Sequence, residues 1–260
     1  MEIRDFLFAN NKEGLFYFEV KSKENAVVAG IDNIKNFLEK IKVDFLINNL
    51  ESVQSGTCIL KGSAKPLEII NLEENILGII SKISGVATAA KLALDLSNGQ
   101  IKVVCGAWKK INPEIRNITR KTVQDLGLAT RITEPPFVYL DKNYIKMLGG
   151  IKTAVKKAKL LNNHKIVVQL HNSENIKKEA VEAIKEKADI LMVDTGVIND
   201  IESVIDIIKQ SGEKNIQSAY SGGVTLNQIP DLIKLGVNIV DIGRSIIDAP
   251  MVDFSLDVCL

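Results

Sequence analysis

The chain has 260 residues, 46% hydrophobic and 25% charged, a composition that supports a folded core and excludes a disordered chain. With 33 Lys and Arg against 32 Asp and Glu, the net charge of +1 gives no support for nucleic-acid or anionic-membrane binding, although a local basic pocket can hide in a neutral total. Three widely spaced cysteines, Cys58, Cys105 and Cys259, give neither a disulfide framework nor a metal cluster, no apolar run approaches the ~20 residues of a membrane span, and residues 1–20 carry no basic segment before an apolar one. A reduced, cytoplasmic setting is the expectation.

Leu15–Val20 and Ala26–Gly30 read as strands separated by turn residues. Ile31–Ile41 comes next, with apolar residues at Ile31, Ile34, Phe37, Leu38 and Ile41, which is helical spacing. Leu67–Leu96 reads mostly helical, with a polar break and Gly85 near its middle. Residues 1–100 therefore form a small first domain of mixed α and β structure.

From Ile101 the pattern changes. Short apolar runs lie at Ile101–Cys105, Phe137–Leu140, Lys165–Leu170, Asp189–Val193, Asn215–Tyr220 and Asn238–Ile242. Amphipathic stretches at Ser173–Lys187, Asp200–Ser211 and Leu226–Leu235 separate the last four, whose starts are 24, 26 and 23 residues apart. Apolar strands alternating with helices predict a parallel sheet covered on both faces. Residues 101–250 are thus predicted as a β/α barrel of TIM type, complete or lacking part of its ring. An open doubly wound sheet is the competing architecture, disfavoured because no GxGxxG follows the first strand. Asn112-Pro113-Glu114 starts one helix, with a cap, a Pro at the first position and an acid in the first turn. Asn172 or Ser173 is the candidate cap of another. The apolar tail Met251–Leu260 is expected to dock on the first domain.

In such barrels ligands sit where strands end and helices begin. Ser221-Gly222-Gly223 and Gly243-Arg244-Ser245 follow the last two strands. Glycines there let backbone N–H groups approach a phosphate, although tight turns need glycine too. Lys109 and Lys110 follow the first barrel strand and could hold a multiply charged anion or simply be solvated. Asp194 could bind ribose hydroxyls or a metal, or merely cap a helix. Gln169 and His171 close another strand, but a partner for His171 as a general base is not readable; His164 precedes its strand and reads as surface. Arg131 precedes Phe137–Leu140, and Asp141-Lys142-Asn143-Tyr144 follows it.

The order of Ala26–Gly30, Ser84-Gly85-Val86-Ala87-Thr88, Leu148-Gly149-Gly150-Ile151, Asp189–Asp194, Ser221-Gly222-Gly223 and Asp253-Phe254-Ser255-Leu256 resembles quinolinate phosphoribosyltransferase and its molybdenum-associated relatives. The resemblance implies an N-terminal α/β sandwich followed by an α/β barrel, a homodimer or higher oligomer with shared sites, and a phosphorylated small-molecule ligand. The implied reaction joins a pyridine nitrogen to the ribose of phosphoribosyl pyrophosphate, releases pyrophosphate and loses a ring carboxylate as CO2, with Mg²⁺ chelating the pyrophosphate. The family's Thr-Arg-Lys-Thr appears letter for letter at Thr119–Thr122, but Pro113 and Arg116 align the motif with Trp108-Lys109-Lys110-Ile111 instead. Thr119–Thr122 then falls in a helix whose apolar face holds Ile115, Ile118, Thr122 and Leu126, leaving Arg120 and Lys121 to solvent.

Carried over residue by residue, Lys109, Lys110, Arg131 and Lys142 are the expected catalytic cations. Gln169, Asp194 and Ser221-Gly222-Gly223 carry over as substrate-binding residues, and His171, Gly243, Arg244 and Ser245, read from their places after strands, complete the expected substrate-binding set, with no protein metal site. Thr130 and Tyr144 replace family histidines, and Gln169 replaces a ribose-binding glutamate. Glu74 stands where the family carries an arginine, so the expected acceptor is an anionic nitrogen heterocycle other than quinolinate. The competing readings are a non-catalytic homologue that binds a nucleotide or sugar phosphate, and a different barrel enzyme acting on phosphorylated sugars.

Overall fold

The structure, a computed structural model, describes residues 3–259. In chain order its elements are α1 (Ile3–Leu7), β1 (Phe16–Ser22), β2 (Ala26–Val27), α2 (Ile31–Leu38), β3 (Lys42–Leu46), β4 (Ser52–Val53), β5 (Cys58–Ala64) and α3 (Pro66–Ser97). Next come β6 (Lys102–Val104), α4 (Pro113–Asp125), β7 (Phe137–Leu140), α5 (Lys142–Met147), α6 (Ile151–Ala158), β8 (Lys165–Leu170) and α7 (Ile176–Lys185). The last are β9 (Ile190–Val193), α8 (Ile198–Ser211), β10 (Gln217–Tyr220), α9 (Ile229–Leu235), β11 (Ile239–Asp241), α10 (Arg244–Ile247) and β12 (Phe254–Cys259). Two compact units result. The first comprises residues up to 91, 111–127 and from 247 on; the second comprises 92–110 and 128–246.

The first unit has a four-stranded antiparallel sheet of order β12-β1-β5-β3, with a separate β2-β4 pair. Alternate residues of β1, Phe18, Val20 and Ser22, are buried. Phe18 and Val20 share one core with Ile31 and Ile34 of α2 and Leu72, Ile76 and Ile80 of α3, a sheet-on-helix layer. Each such side chain contributes about 1.5–3 kcal/mol on full burial. The tail strand β12 pairs along β1 from Tyr17–Cys259 to Ser22–Phe254.

α3 runs unbroken for 32 residues, so neither the polar stretch nor Gly85 interrupts it. Gly85 is required for another reason: a Cβ there would overlap the carbonyl oxygen of Pro250. Its neighbours Ser84 and Thr88 accept hydrogen bonds from the backbone N–H groups of Ala29 (2.8 Å) and Val27 (2.9 Å), so the first two motifs behind the resemblance hold each other. Contrary to the sequence expectation, α3 is long and apolar enough to cross a membrane, with a mean hydropathy of 1.5. Its apolar positions Leu72, Ile76, Ile80, Ile83 and Val86 are instead buried in protein.

α4 starts as foreseen, with the Asn112 side chain accepting from the Glu114 N–H at 2.9 Å. Its buried residues are Thr119, Thr122 and Val123, while Ile115 and Ile118 are half-buried. Lys121 is exposed and pairs with Asp125, but Arg120 is half-buried, which corrects the fully solvated position expected for it.

In the second unit six strands form one all-parallel sheet, with neighbours in the order β7-β8-β9-β10-β11-β6. Five consecutive strands lie side by side and the first, β6, joins after the last. That is the cyclic order of a barrel; a doubly wound sheet reverses direction at a switch point. β6 and β7 border the open seam, where Val104 makes a further bridge to Ala129. The sheet is curled, because Val104 from one edge and Phe137 and Tyr139 from the other pack in the same inner cluster as Val167, Ile190, Met192, Ala219 and Ile239. The foreseen caps do not form at α7: the Asn172 side chain caps nothing, and Ser173 Oγ donates to Asp200 at 2.7 Å.

Candidate functional site

Side chains alternate along a strand, so a residue two positions after an inward-facing one also faces inward. Val167, Met192, Ala219 and Ile239 belong to the inner cluster. Two residues further toward the strands' C-terminal ends stand Gln169, Asp194, Ser221 and Asp241. An apolar interior thus terminates in a row of polar groups at the rim where barrels place their chemistry.

This row is wired together. Gln169 donates from Nε2 to Asp194 Oδ2 at 2.5 Å, and its Oε1 accepts from the Lys142 backbone N–H at 2.7 Å. Ser221 Oγ donates to Asp194 Oδ1 at 2.7 Å. Both oxygens of Asp194 are held, one by a side chain from β8 and one by the loop after β10.

A cavity of about 220 Å³ opens above the row, lined by Lys110, Tyr139, Asp194, Ser221, Gly222, Gly223, Asp241, Gly243 and Arg244. Gly222 (φ 101°) and Gly223 (φ 84°) both need the left-handed backbone that glycine permits. Gly243 lies so close to Ala107 that a Cβ on it would stand 2.7 Å from the Ala107 methyl, and Ala107 itself holds φ 64°. A non-glycine residue at positive φ stores strain of order 1 kcal/mol, and such strain collects at functional sites.

Asp241 is the residue that the motif-by-motif reading of the sequence passed over. It accepts a hydrogen bond from the Gly106 N–H, and a Cβ on Gly106 would run into its carboxylate oxygens. Burial first, and then the charge of Asp194, push its carboxyl up to about 7. Tyr139 is likewise pushed upward by burial and by Asp241, Asp194 and Asp141. The neighbouring Cys105 is pushed up to about 12 by burial, which makes it a core thiol and no nucleophile at neutral pH. The missed signal was present: Asp241 is two residues after buried Ile239, in phase with Asp194 after Met192.

A second cavity, of about 630 Å³, is lined by Lys142, Lys146, Gln169, His171, Asn172, Ser173 and Glu179, among others. Burial raises the Glu179 carboxyl, whose Oε2 is buried without a hydrogen-bond partner among the described residues. The structure therefore gathers Lys110, Asp194, Ser221, Gly222, Gly223, Gly243 and Arg244 on one cavity and Lys142, Gln169 and His171 on the other. Lys109 and Arg131 are exposed and line neither. Ser245 Oγ donates to the Val224 carbonyl at 2.8 Å and so ties the two glycine loops together. Among the described residues no cluster of three or more His, Cys, Asp or Glu could hold a metal ion.

A curled parallel α/β barrel with glycine loops, cations and carboxylates meeting at its C-terminal rim has the architecture in which barrel enzymes place active sites and phosphate-binding loops. The chain belongs to the quinolinate phosphoribosyl transferase family: residues 6–84 match the family's N-terminal domain and residues 86–257 its C-terminal domain. It is 30% identical over 250 residues to a probable carboxylating nicotinate-nucleotide pyrophosphorylase of Methanocaldococcus jannaschii, covering 92% of this chain and 85% of that protein. A counterpart in Bacillus subtilis is 27% identical over 252 residues, covering 95% and 81%. Its fold matches the nicotinate-nucleotide pyrophosphorylase structure from Pyrococcus furiosus with a TM-score of 0.84 at 21% identity, covering 98% of this chain and 72% of that one. The Ehrlichia chaffeensis structure matches with a TM-score of 0.81 at 21% identity, covering 96% and 90%.

Proposed function

We propose that the chain transfers the phosphoribosyl group of phosphoribosyl pyrophosphate to the ring nitrogen of a pyridine carboxylate. The observation that carries this reading is the composition of the 220 Å³ cavity, which sets cations and glycine backbone beside two carboxylates. Lys110, Arg244 and the loops at Ser221–Gly223 and Gly243 suit a phosphate. Asp194 and Asp241 suit hydroxyl groups and would repel a bare anion. A phosphorylated sugar satisfies both halves. Lys142 and His171 at the second cavity, together with the exposed Lys109 and Arg131, are the candidates for contacts to pyrophosphate and acceptor. Mg²⁺ enters this scheme as the counter-ion of the pyrophosphate and so as part of the substrate.

In the sequence, Glu74 is the residue that speaks against quinolinate. In the structure Glu74 forms a two-pronged ion pair with Arg4, Nη1 to Oε2 at 3.0 Å and a short contact from Nη2 to Oε1. Arg4 first of all holds the Glu74 carboxyl below its ordinary range. A paired carboxylate presents little net charge, so the electrostatic objection loses most of its force. With relatives of similar length named as carboxylating nicotinate-nucleotide pyrophosphorylases, quinolinate is the acceptor to test first. The family likeness also supports a homodimer, which light scattering would read.

The test is pyrophosphate release with phosphoribosyl pyrophosphate, Mg²⁺ and either quinolinate or nicotinate. A quinolinate-dependent kcat/KM of at least ~10⁴ M⁻¹s⁻¹ supports the proposal. Saturable binding of ribose 5-phosphate without turnover of any pyridine carboxylate would point to the non-catalytic reading.

A further inference from the structure

The two carboxylates of the cavity differ in their hydrogen-bond partners. Asp194 already accepts from Gln169 on one oxygen and from Ser221 on the other. Ser221 spends its hydroxyl proton on that bond. Asp241 is enclosed by protein on most sides, yet its hydrogen bond from the described residues is a single one, from the Gly106 N–H. A carboxylate offers about four lone-pair sites, so Asp241 keeps most of its accepting capacity at the cavity wall. A half-buried acceptor with so few donors is costly in the empty protein. Its raised pKa expresses the same deficit.

We propose that Asp241 is a specificity-determining residue that recognises the sugar of the ligand by accepting hydrogen bonds from neighbouring ribose hydroxyls. The assignment rests on the phosphoribosyl reading above and goes beyond the residues that the family resemblance pointed to. The charged and titratable groups that share the cavity with Asp241 are Asp194, Tyr139, Lys110 and Arg244. The two cations suit the phosphate of the ligand, and Asp194 is occupied by protein donors. Hydroxyl donors a few bonds from that phosphate supply what Asp241 lacks. A bare phosphate meets the Asp241 charge with nothing to offer it, so the same residue selects a sugar phosphate over free phosphate.

The test is calorimetric titration of the intact chain with ribose 5-phosphate, 2-deoxyribose 5-phosphate and inorganic phosphate. The wild type should prefer the ribose over the deoxyribose ligand by about tenfold, the worth of one hydrogen bond to a charged group. Asp241→Asn, which keeps an acceptor for Gly106, should bring that ratio close to one and bind inorganic phosphate at least as well. A variant that retains the full ratio overturns the proposal. If the wild type binds neither sugar phosphate, the phosphoribosyl reading itself falls, and the two failures are distinguishable. Should the variant not fold, the wild type alone decides in two buffers of different ionisation enthalpy. At pH 7 the ribose ligand should release more protons than the deoxyribose ligand, and equal release overturns the proposal.

Discussion

Gly196 and Gly222 meet backbone to backbone: a Cβ on either would overlap main-chain atoms of the other. The sequence presents Gly222 and Gly223 as equivalent members of a phosphate loop, but their surroundings differ. Gly223 has open space around the position of a Cβ, and its only demand is the positive φ. Gly222→Ala should therefore cost overpacking and backbone strain together, about 2–5 kcal/mol. Gly223→Ala should cost only about 1–2 kcal/mol. Thermal denaturation of the two variants checks the ranking. Equal losses would show that the loop relaxes away from Gly196.

The cation ranking is the second expected outcome. Lys110 lines the cavity, Lys109 does not, and Lys121 pairs with Asp125 on α4. Lys110→Ala should weaken ribose 5-phosphate binding roughly ten- to hundredfold, the equivalent of about 1.5–3 kcal/mol for a charge-assisted contact. Lys109→Ala should weaken it less, and Arg120→Ala with Lys121→Ala should leave it nearly unchanged. Titration calorimetry reads all three. The letter-for-letter motif at Thr119–Thr122 would regain its claim only if the α4 variants gave the largest loss.

Asp241 links the site to stability. Its carboxyl titrates near 3.8 in an unfolded chain and about 7 in the folded one, raised by burial and by Asp194. Between those values the folded state holds a proton that the unfolded state has released, so stability must fall as pH rises through this window. Each pH step of one across the window corresponds to about 1.4 kcal/mol, less here because the carboxyl keeps one side open to the cavity. Asp241→Asn should leave melting temperature nearly unchanged at pH 4 and raise it over the wild type at pH 8. Lys110 and Arg244, at the same cavity, reduce the effect if they swing toward Asp241. A wild-type curve parallel to that of the variant would place the Asp241 pKa in the ordinary range.

Gly106→Ala tests the packing under Asp241. The added methyl would enter the space of both carboxylate oxygens, which sit on a short side chain with little room to retreat. A loss of about 1–3 kcal/mol in denaturant unfolding is expected. The double variant Gly106→Ala with Asp241→Ser should recover part of it, because the clash then has no carboxylate to meet.

The barrel strands were readable because they are short apolar runs, the last four at an even spacing, and their buried sheet leaves no polar alternation to confuse the period. The first unit was less readable. β3 is largely exposed, and β5 is buried on both sides at Ile59 and Leu60, so neither shows a clean two-residue alternation. Gly85 looked like a helix break because its real reason, the carbonyl of Pro250, lies far along the chain. The pairing of Glu74 with Arg4, 70 residues apart, was equally out of reach of local pattern. In the site, the glycine loops and Asp194 stood out because they come directly after their strands. Asp241 did not, because it is the last residue of its strand and precedes the loop, although the period from Ile239 marks it.

The antiparallel partnership of β1 with β12 has a consequence for how the chain is made. Glu24 receives a hydrogen bond from the Asp253 N–H, a contact spanning 229 residues. During synthesis β1 emerges early and can pair with β5, but its other edge stays open until the final strand leaves the ribosome. Over that interval the exposed edge is a template for pairing with another chain. Closing so long a loop is slow on any topology. In the second unit the strands from β7 to β11 pair with their sequence neighbours, and only β6 must wait for a distant partner, β11. Shortening the chain before Phe254 should therefore leave an aggregation-prone protein rather than a merely less stable one, as the waiting edge would never be covered.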